Sequence, residues 1–463
     1  MKVKFMLLLL SIFSTSAAFS QNYSVQWAMF HGCETHCGIY PSKNYQGFNG
    51  LSWKFKTAGK IFSSPAVFEG VVYVGSEDKN LYAIDVENGN LLWRFKTGGA
   101  VHSSPAVFKN TVYFGSYDGY YYALDTKTGK EKWKFKTGGE KKVGGKAYWT
   151  MKPADMYMED LYDYFLSSPV INKDDKHLTV YFGSSDGNMY ALDAESGELK
   201  WKFKTNGIVR SSPALADNTL YFGSWDTYMY ALDAYTGKEK WKFKTGDDPQ
   251  YHLMEGIESS PAYDDGAIYF GSRDGYFYAL DAGSGKLVWK YSANGSWVVN
   301  TAAVKDRIVY FGTSDSFLFL ALDAKTGKEK YHFKANGYLY SSPAIAGNAL
   351  YFGDYTGKLY ALNLNSGERQ DEFATAGRKK YASEILNKEG NIDFSFVAGT
   401  RDASLYQTSV EVMNELYQLG PIVSSPAIVA GTAFFGSADG YLYALNLKES
   451  PAPAVNTASE HHH

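Results

Sequence analysis

The densest group of chemically reactive side chains lies near the amino terminus. Cys33 and Cys37 are the only cysteines of the chain, and His31 and His36 lie beside them. In an exported protein, two cysteines this close together predict a local disulfide. Thiolate and imidazole groups also suit zinc or copper, so a metal site is the alternative for the same four residues. The order of the residues is not Cys-x-x-Cys-His, which argues against attached haem.

The first residues predict that the protein is exported. Lys2 and Lys4 precede an apolar run from Phe5 to Phe13, and small residues follow up to Ser20. This pattern predicts a secretory signal over residues 1–20, with cleavage near Ser20. The run is too short to cross a hydrocarbon core of about 30 Å. We therefore expect a periplasmic or secreted protein without a transmembrane segment.

Composition limits the class of protein. The 463 residues are 45% hydrophobic and 21% charged, which excludes a disordered or collagen-like chain. The aromatic share of 17% favours strands over helices. The formal net charge of -3 is not gathered in one block, so we expect no nucleic-acid partner.

A repeated Ser-Ser-Pro-Ala motif, or a relative of it, begins each of eight similar units. The copies lie at 63–66, 103–106, 167–170, 211–214, 259–262, 300–303, 341–344 and 424–427. Each unit holds four short runs of β-branched and aromatic residues, separated by Asp/Gly or Thr/Gly turns, which predicts four antiparallel strands. Four-stranded units with a period of about 40 residues indicate propeller blades.

The two ends of the chain predict how the ring closes. The eighth unit stops after Asn446 without a fourth strand, and a spare fourth strand at 51–57 precedes the first unit. Pairing these segments would complete the last blade and leave no free edge. We therefore predict an all-β, eight-bladed β-propeller of four-stranded antiparallel blades over 51–447. An amino-terminal plug at 21–50 would precede it, and a flexible tail at 448–463 would follow it.

Most repeated residues have a structural reading. The turn aspartate can accept main-chain amides, the following glycine permits a positive φ, and the outer-strand aromatic can dock onto the next blade. The tryptophans at this docking position are Trp53, Trp93, Trp133, Trp201, Trp241 and Trp289.

The motif Ala-x-Asp-x-x-Thr-Gly-x-x-x-Trp resembles the pyrroloquinoline-quinone (PQQ) repeat family. It stands at 123–133 and 231–241, and at 83–93 with Asn88 in place of Thr. The resemblance extends over about 51–447 and implies a fold more than an activity. The family includes PQQ-dependent alcohol dehydrogenases and BamB-like proteins, which are cofactor-free scaffolds in outer-membrane protein assembly. Some relatives also open with a Trp-x-x-Phe-His-Gly segment, here Trp27 to Gly32, which implies a structural plug.

The resemblance favours the scaffold branch over the enzyme branch. The dehydrogenases carry a disulfide between adjacent cysteines, a calcium-binding Glu/Asn/Asp set and a catalytic Asp, whereas Cys33 and Cys37 are separated and lie outside the blades. We find no hydrolase, metalloprotease or phosphate-loop motif either, and we assign no catalytic residue. The expectation is a BamB-like binding or assembly scaffold without a cofactor, whose partners include outer-membrane proteins. The alternative is a quinoprotein dehydrogenase that oxidises alcohols or aldehydes with PQQ and calcium.

Three expanded loops point to one functional face. The loops that leave the outer strands are short except at 138–166, 246–258 and 376–423, and all three belong to the same loop class. They should crowd one end of the central channel, where a rigid scaffold carries its variable loops. The last insertion begins with Arg378 and two lysines and ends in a predicted helix over about 404–419. This face is either a lid packed on the propeller or a surface that binds a partner.

A second candidate site lies at the mouth of the channel. The residue before each Ser-Ser and the matching turn residue between the second and third strands should both face the mouth on the inserted side. The ligand-binding candidates at these positions are His102, Arg210, Trp225, Glu258, Arg273 and Tyr340. They predict a pocket for an anionic or aromatic small ligand. The alternative is a salt bridge between Arg210 and Glu258 that caps the channel.

Overall fold

A computed structural model describes residues 27–146, 153–173, 177–246, 256–393 and 405–451. The predicted signal at 1–20, most of the insertion at 246–258 and most of the predicted tail at 448–463 lie outside these residues. Among the helices that the structure describes, none is long and apolar enough to cross a membrane.

Eight four-stranded antiparallel sheets form the ring, so the predicted eight-bladed propeller is confirmed. Blade one comprises Ala66–Phe68, Val71–Gly75, Asn80–Asp85 and Leu91–Lys96. Blade two comprises Ala106–Phe108, Thr111–Gly115, Tyr120–Asp125 and Glu131–Lys136. Blade three comprises Val170–Lys173, Leu178–Gly183, Asn188–Asp193 and Leu199–Lys204. Blade four comprises Ala214–Ala216, Thr219–Gly223, Tyr228–Asp233 and Glu239–Lys244.

The second half of the ring follows the same pattern. Blade five comprises Ala262–Asp264, Ala267–Gly271, Tyr276–Asp281 and Leu287–Ser292. Blade six comprises Ala303–Lys305, Ile308–Gly312, Leu318–Asp323 and Glu329–Lys334. Blade seven comprises Ala344–Ala346, Ala349–Gly353, Lys358–Asn363 and Arg369–Ala374. Blade eight comprises Ala427–Val429, Thr432–Gly436 and Tyr441–Glu449, with Tyr45–Lys56 as its outer strand.

Blade eight is therefore built from both ends of the propeller sequence, as predicted. Trp53 lies opposite Ala444, and Lys56 lies opposite Tyr441. The strand begins at Tyr45 rather than at Leu51, and its partner continues to Glu449. The closing pair is thus longer than the predicted boundaries, because bulges before Trp53 let the two strands stay paired beyond the repeat.

The alternation of side chains decides which faces the strands bury. In the outer strand of blade one, Trp93 and Phe95 are half-buried, whereas Arg94 and Lys96 are exposed. The third strand of the same blade is buried on both faces, because neighbouring blades pack against both sides of its middle. This explains why outer strands alternate aromatic and basic residues while third strands read as continuous apolar runs.

The Ser-Ser motif joins each blade to the next around the channel. The main-chain N–H of Ser64 donates to Ser104 Oγ of blade two at 3.0 Å, and that of Ser104 donates to Ser168 Oγ of blade three at 3.0 Å. The amides of Ser168, Ser212, Thr301, Ser342 and Ser425 make the same bond to the next blade, and that of Ser425 returns to Ser64. Blade five is joined to blade six by Ser259 Oγ, which donates to the carbonyl of Asn300 at 2.8 Å. Small hydroxyls are needed here because these amides lie beyond the strand ladders and still require acceptors.

The outer-strand tryptophans join the blades at the rim. The indole N–H of Trp93 donates to the carbonyl of Thr126 in blade two at 2.8 Å. The turn glycine of that blade, Gly129, lies against the same ring, and a Cβ there would come within 2.7 Å of it. Trp53, Trp133, Trp201, Trp241 and Trp289 make the equivalent bond to the next blade at 2.9 to 3.1 Å.

The amino-terminal segment forms a strap along the inner edges of the blades. Trp27–Ala28 pairs antiparallel with blade two, and Ile39–Tyr40 pairs parallel with blade seven. Between these strands the chain makes a 3-10 turn at Phe30–Gly32. Carbonyls of the strap accept hydrogen bonds from the inner strands of blades four, five and six, namely from the amides of Leu215, Tyr263 and Val304. The strap therefore satisfies inner-strand amides that no other strand covers.

Two helices and a hairpin form the described part of the insertions. Helix α1 spans Ala376–Ile385, and helix α2 spans Leu405–Gln418. Helix α2 is the predicted helix, whereas α1 lies in the basic stretch where none was predicted. The hairpin pairs Gly144–Lys146 with Tyr157–Glu159.

Candidate channel-mouth site

The insertions at 138–166 and 376–423 pack on each other over one end of the channel. Tyr164 and Tyr162 of the first insertion share an apolar cluster with Leu416 of α2 and Ile385 of α1. The main-chain N–H of Glu159 also donates to the hydroxyl of Tyr406 in α2 at 3.1 Å. The two insertions therefore form one layer on the ring.

The eight ring positions that precede the Ser-Ser motifs all lie buried beneath this layer. They are Phe62, His102, Leu166, Arg210, Glu258, Val299, Tyr340 and Val423. Arg210, Trp225, Glu258 and Arg273 gather in one sector of the mouth, formed by blades four and five. His102 lies beside them against Tyr117, and Tyr340 faces them from the tyrosine cluster.

Arg273 connects the ring to the first insertion. Its Nη2 and Nε donate to Glu258 Oε2 at 2.5 and 3.0 Å, and its Nη1 donates to Asp160 Oδ2 at 2.7 Å. The guanidinium also lies 4.5 Å from the ring centres of both Trp225 and Trp297. Two aromatic faces and two carboxylates thus hold one cation that is 1% exposed.

Arg210 makes a parallel contact one blade earlier. Its Nη2 donates to Asp163 Oδ2 at 2.7 Å, its Nη1 donates to Ser185 Oγ at 2.7 Å, and Glu140 lies 3.6 Å away. The predicted alternative of an Arg210–Glu258 salt bridge is therefore wrong. Arg210 binds Asp163 and Glu258 binds Arg273, because the insertion brings two aspartates into the mouth.

The cluster holds more carboxyl groups than guanidinium groups. Four acids, Glu140, Asp160, Asp163 and Glu258, lie against two arginines. Burial raises the pKa of Glu258 to about 7, although Arg273 opposes the rise, and burial also raises the pKa values of Asp160 and Glu140. Burial acts against the charge of Arg210, but Asp163 and the other anionic neighbours raise its pKa above the ordinary value.

Several buried polar atoms of this sector lack a hydrogen-bond partner among the described residues. They are His102 Nδ1, Tyr117 Oη, Asp163 Oδ1, Arg210 Nε, Trp225 Nε1 and Glu258 Oε1, whereas His102 Nε2 lies 3.6 Å from Glu77 Oε1. A cavity of about 20 Å³ lies beside them on the axis, between Phe30 of the strap and Phe165 of the insertion. A space of this size holds one or two water molecules.

The cysteine and histidine group lies in the strap, away from the inserted layer. Cys33 and Cys37 form a disulfide. His31 Nε2 lies 2.7 Å from the carbonyl of Pro343, and His36 Nδ1 lies 2.9 Å from that of Pro261. Burial lowers the pKa of His31 to about 4 and that of His36 to about 3, so both are neutral near pH 7. Across the described residues, no three His, Cys, Asp or Glu side chains are grouped so as to hold a metal ion.

Comparison with known proteins identifies the family. A PQQ-repeat family described as "Outer membrane protein assembly factor BamB" matches residues 49–146, 141–259 and 249–450. The chain belongs to this family.

Solved structures show the same fold. BamB from Moraxella catarrhalis is 16% identical, with a TM-score of 0.61 over 86% of this chain and 99% of that one. The quinohemoprotein alcohol dehydrogenase from Comamonas testosteroni is 15% identical, with a TM-score of 0.65 over 92% and 81%. A europium-containing methanol dehydrogenase is also 15% identical, with a TM-score of 0.65 over 91% and 98%. No curated protein matches the sequence.

The described channel mouth of this PQQ-repeat propeller does not fit PQQ. PQQ is a planar tricarboxylate, so it needs free cationic groups and a flat slot. Here Arg210 and Arg273 already bind carboxylates of the chain itself, and the axial cavity of about 20 Å³ is far smaller than the ~300 Å³ of a small-molecule site. A ligand as large as PQQ would therefore have to displace the insertion at 138–166.

Sequence reasoning missed the four insertion residues that complete the site. Asp160, Tyr162, Asp163 and Tyr164 contact the predicted ring residues directly. The one signal was the concentration of acids and tyrosines in that insertion. This composition distinguished the loop from the others. It could not predict which insertion residue contacts which ring residue, because the insertion is not part of the repeat.

Proposed function

We propose that this PQQ-repeat propeller is an exported, BamB-like scaffold that binds protein partners through its inserted face. The supporting observation is that the chain fills its own channel, with Phe30 of the strap on one side of the axial cavity and Phe165 on the other. The repeated serines and tryptophans are used in contacts between blades. Binding then falls to the segments that do not repeat.

The inserted face has a polar outer surface suited to a partner. On α2 the exposed side chains are Gln407, Glu411, Asn414 and Gln418, which share one side of the helix. On α1, Lys379 and Lys380 are exposed. The family description names outer-membrane protein assembly, which supports outer-membrane proteins as the class of partner and the periplasm as the compartment.

Charge reversal on α1 tests this proposal. We expect the double variant Lys379→Glu and Lys380→Glu to recover fewer partners in cross-linking and affinity capture from its native envelope. The matched control is Lys136→Glu with Lys202→Glu, which reverses two exposed lysines on outer strands. Equal recovery by both variants and the wild type would remove the inserted face as the binding surface.

The second candidate is a PQQ-dependent dehydrogenase that oxidises alcohols or aldehydes. Its support is the structural likeness to the two dehydrogenases, whose TM-scores are slightly above that of BamB. The mismatch at the channel mouth weighs against it. Titration with PQQ and calcium, followed by dye-linked oxidation of alcohols and aldehydes, separates the candidates. We expect neither binding nor turnover, and tight binding with turnover would overturn the scaffold proposal.

A further inference from the structure

We infer that the channel mouth is a binding site for an acidic, aromatic peptide segment, and that Asp160–Phe165 occupies this site in cis. We call these residues the acidic segment. The inference rests on the proposed function, because the competing ligand would be a segment of a protein partner.

The receptor side of the site belongs to the rigid ring. Arg210 directly precedes the Ser-Ser motif of blade four, and Arg273 lies in the turn between the second and third strands of blade five. The main-chain N–H of Arg273 donates to the carbonyl of Gly256 at 3.2 Å, which fixes the turn to the neighbouring loop. The main chains of both arginines thus hold fixed positions in the repeat, while the side chain of Arg210 also donates through Nη2 to the carbonyl of Lys141 in the first insertion at 2.7 Å.

The ligand side comes from one short continuous run. Asp160 binds Arg273 and Asp163 binds Arg210, each at 2.7 Å. Tyr162 lies between the two aspartates in the sequence and packs against Trp297 and Tyr340. Two acids and the aromatic residues that alternate with them therefore supply the principal contacts.

Tyr164 extends the aromatic part of the contact. Its ring lies 4.9 Å from that of Phe62 and 5.8 Å from that of Tyr340, and its hydroxyl lies 2.7 Å from the hydroxyl of Tyr355. Burial raises the pKa of Tyr164 well above the ordinary value, so this hydroxyl stays neutral. The site therefore binds a tyrosine at this position through aromatic contacts with Phe62 and Tyr340 and a hydrogen bond with the hydroxyl of Tyr355.

The acidic segment folds as a compact turn of its own. The amide of Tyr162 donates to Asp160 Oδ1 at 2.9 Å, and the amide of Asp163 donates to the carbonyl of Asp160 at 3.3 Å. Val143 links it to the rest of the insertion, because its carbonyl accepts from the amide of Asp160 and its amide donates to Asp163 Oδ2, each at 2.8 Å. Because recognition rests on side chains around a local turn, a separate peptide of the same sequence can present the same groups.

The cis fit leaves interactions unmade. Asp163 Oδ1, Arg210 Nε and Trp225 Nε1 are buried without a hydrogen-bond partner among the described residues. Glu258 also competes with Asp160 for Arg273. Buried polar atoms without partners cost free energy, so a segment that satisfies Arg210 Nε and Trp225 Nε1 of the ring can displace the cis occupant. The expected ligand carries two acidic residues three positions apart, with aromatic residues beside and after the second.

A peptide in trans tests the inference. The probe is a fluorescent peptide with the sequence of residues 159–166, titrated by anisotropy against the full-length variant Asp160→Asn with Asp163→Asn. We expect saturable binding to this variant and at least about tenfold weaker binding to the wild type, whose own segment competes. A probe with both aspartates replaced by asparagine should lose the binding. Absence of binding to the folded variant, or equal binding of the asparagine probe, would overturn the inference.

A second measurement on the wild type covers the case in which the variant does not fold. Excess peptide should accelerate hydrogen exchange at the amides of Tyr162 and Asp163, because the cis segment is released. Unchanged exchange at the highest soluble peptide concentration would also overturn the inference. The capture experiment on α1 is independent of this site, so failure of the peptide alone would leave the proposed scaffold function in place.

Discussion

Glu258 lies where the repeat and the insertion meet. It belongs to blade five, it binds Arg273 through one oxygen, and its second oxygen lacks a hydrogen-bond partner among the described residues. Burial is the main cause that raises its pKa, from 4.5 to about 7, and Asp163 and Asp160 add to the rise while Arg273 lowers it. The protonation of this carboxyl group is therefore linked to folding.

The sign of that linkage gives the first prediction. A carboxyl group whose pKa is raised in the folded state binds its proton more tightly there, so its contribution to stability is complete below about pH 4.5 and is lost as the pH rises through about 7. We expect the free energy of unfolding of the wild type to fall relative to Glu258→Gln by roughly 3 kcal/mol between pH 5 and pH 8. Urea unfolding at each pH measures this, and parallel profiles would contradict it.

Gly197 shows how one repeated residue serves two needs. Its φ is +75°, and an added Cβ would come within 2.6 Å of the indole ring of Trp133, which docks here from the preceding blade. Gly70 has a similar φ of +80° but has no atom within 4 Å of an added Cβ. The two positions separate backbone strain from loss of docking.

We predict that Gly197→Ala destabilises the protein more than Gly70→Ala. Both variants strain a left-handed residue, but only the first also forces Trp133 away from the neighbouring blade. The difference should be about 1 to 3 kcal/mol, the usual range for overpacking, in urea unfolding at pH 7. Equal losses would mean that the indole moves aside without cost.

At the residue scale, the sequence predicted the location of side chains that belong to the repeat, but not of side chains in the non-repeating insertions. Arg210, Trp225, Glu258 and Arg273 could be assigned to one sector because each holds a fixed position within its unit. Asp160 and Asp163 could not, because the path of a non-repeating loop depends on tertiary packing. Without the aspartates, the sequence offered only Glu258 as a salt-bridge partner for Arg210. In the structure Arg210 pairs with Asp163 instead.

At the scale of elements, the strap is the part whose role extends furthest beyond its own residues. The Cys33–Cys37 bond closes a short loop whose carbonyls accept hydrogen bonds from main-chain amides of blades four, five and six. The sequence predicted a plug and left disulfide and metal open for these cysteines. The path of the strap follows the edges of the inner strands, because those strands carry amides that need acceptors.

Helix α1 was not predicted because its sequence has little amphipathic pattern. Its formation depends on the Thr375 cap and on packing against the ring.

Removing the disulfide should loosen the strap. We expect Cys33→Ser with Cys37→Ser to lower the free energy of unfolding by about 2 kcal/mol, the loop-closure value for a ring of this size. Under reducing conditions the wild type should fall to the level of the variant, while the variant should not change. Thermal unfolding with and without dithiothreitol measures both. A reductant effect of the same size on the variant would show that the disulfide is not its cause.

At the scale of the whole molecule, the ring is closed by strands from its two ends. This could be predicted because a missing fourth strand and a spare one are both visible in the repeat. The outer strand Tyr45–Lys56 covers Tyr441–Glu449, and without it that strand would present an open edge. Open edges pair with other chains, so closure controls the association state as well as the stability.

Two truncations separate the strap from this closing strand. A chain that begins at Tyr45 loses only the strap, and we expect it to remain a monomer of lower stability. A chain that begins at Thr57 also loses the closing strand, and we expect it to self-associate through Tyr441–Glu449. Addition of a peptide of residues 45–56 should restore the monomer, because it pairs with the same edge. Size-exclusion chromatography with light scattering measures each state. A monomeric, cooperatively unfolding chain from Thr57 onward would show that seven complete blades and three strands close the ring unaided.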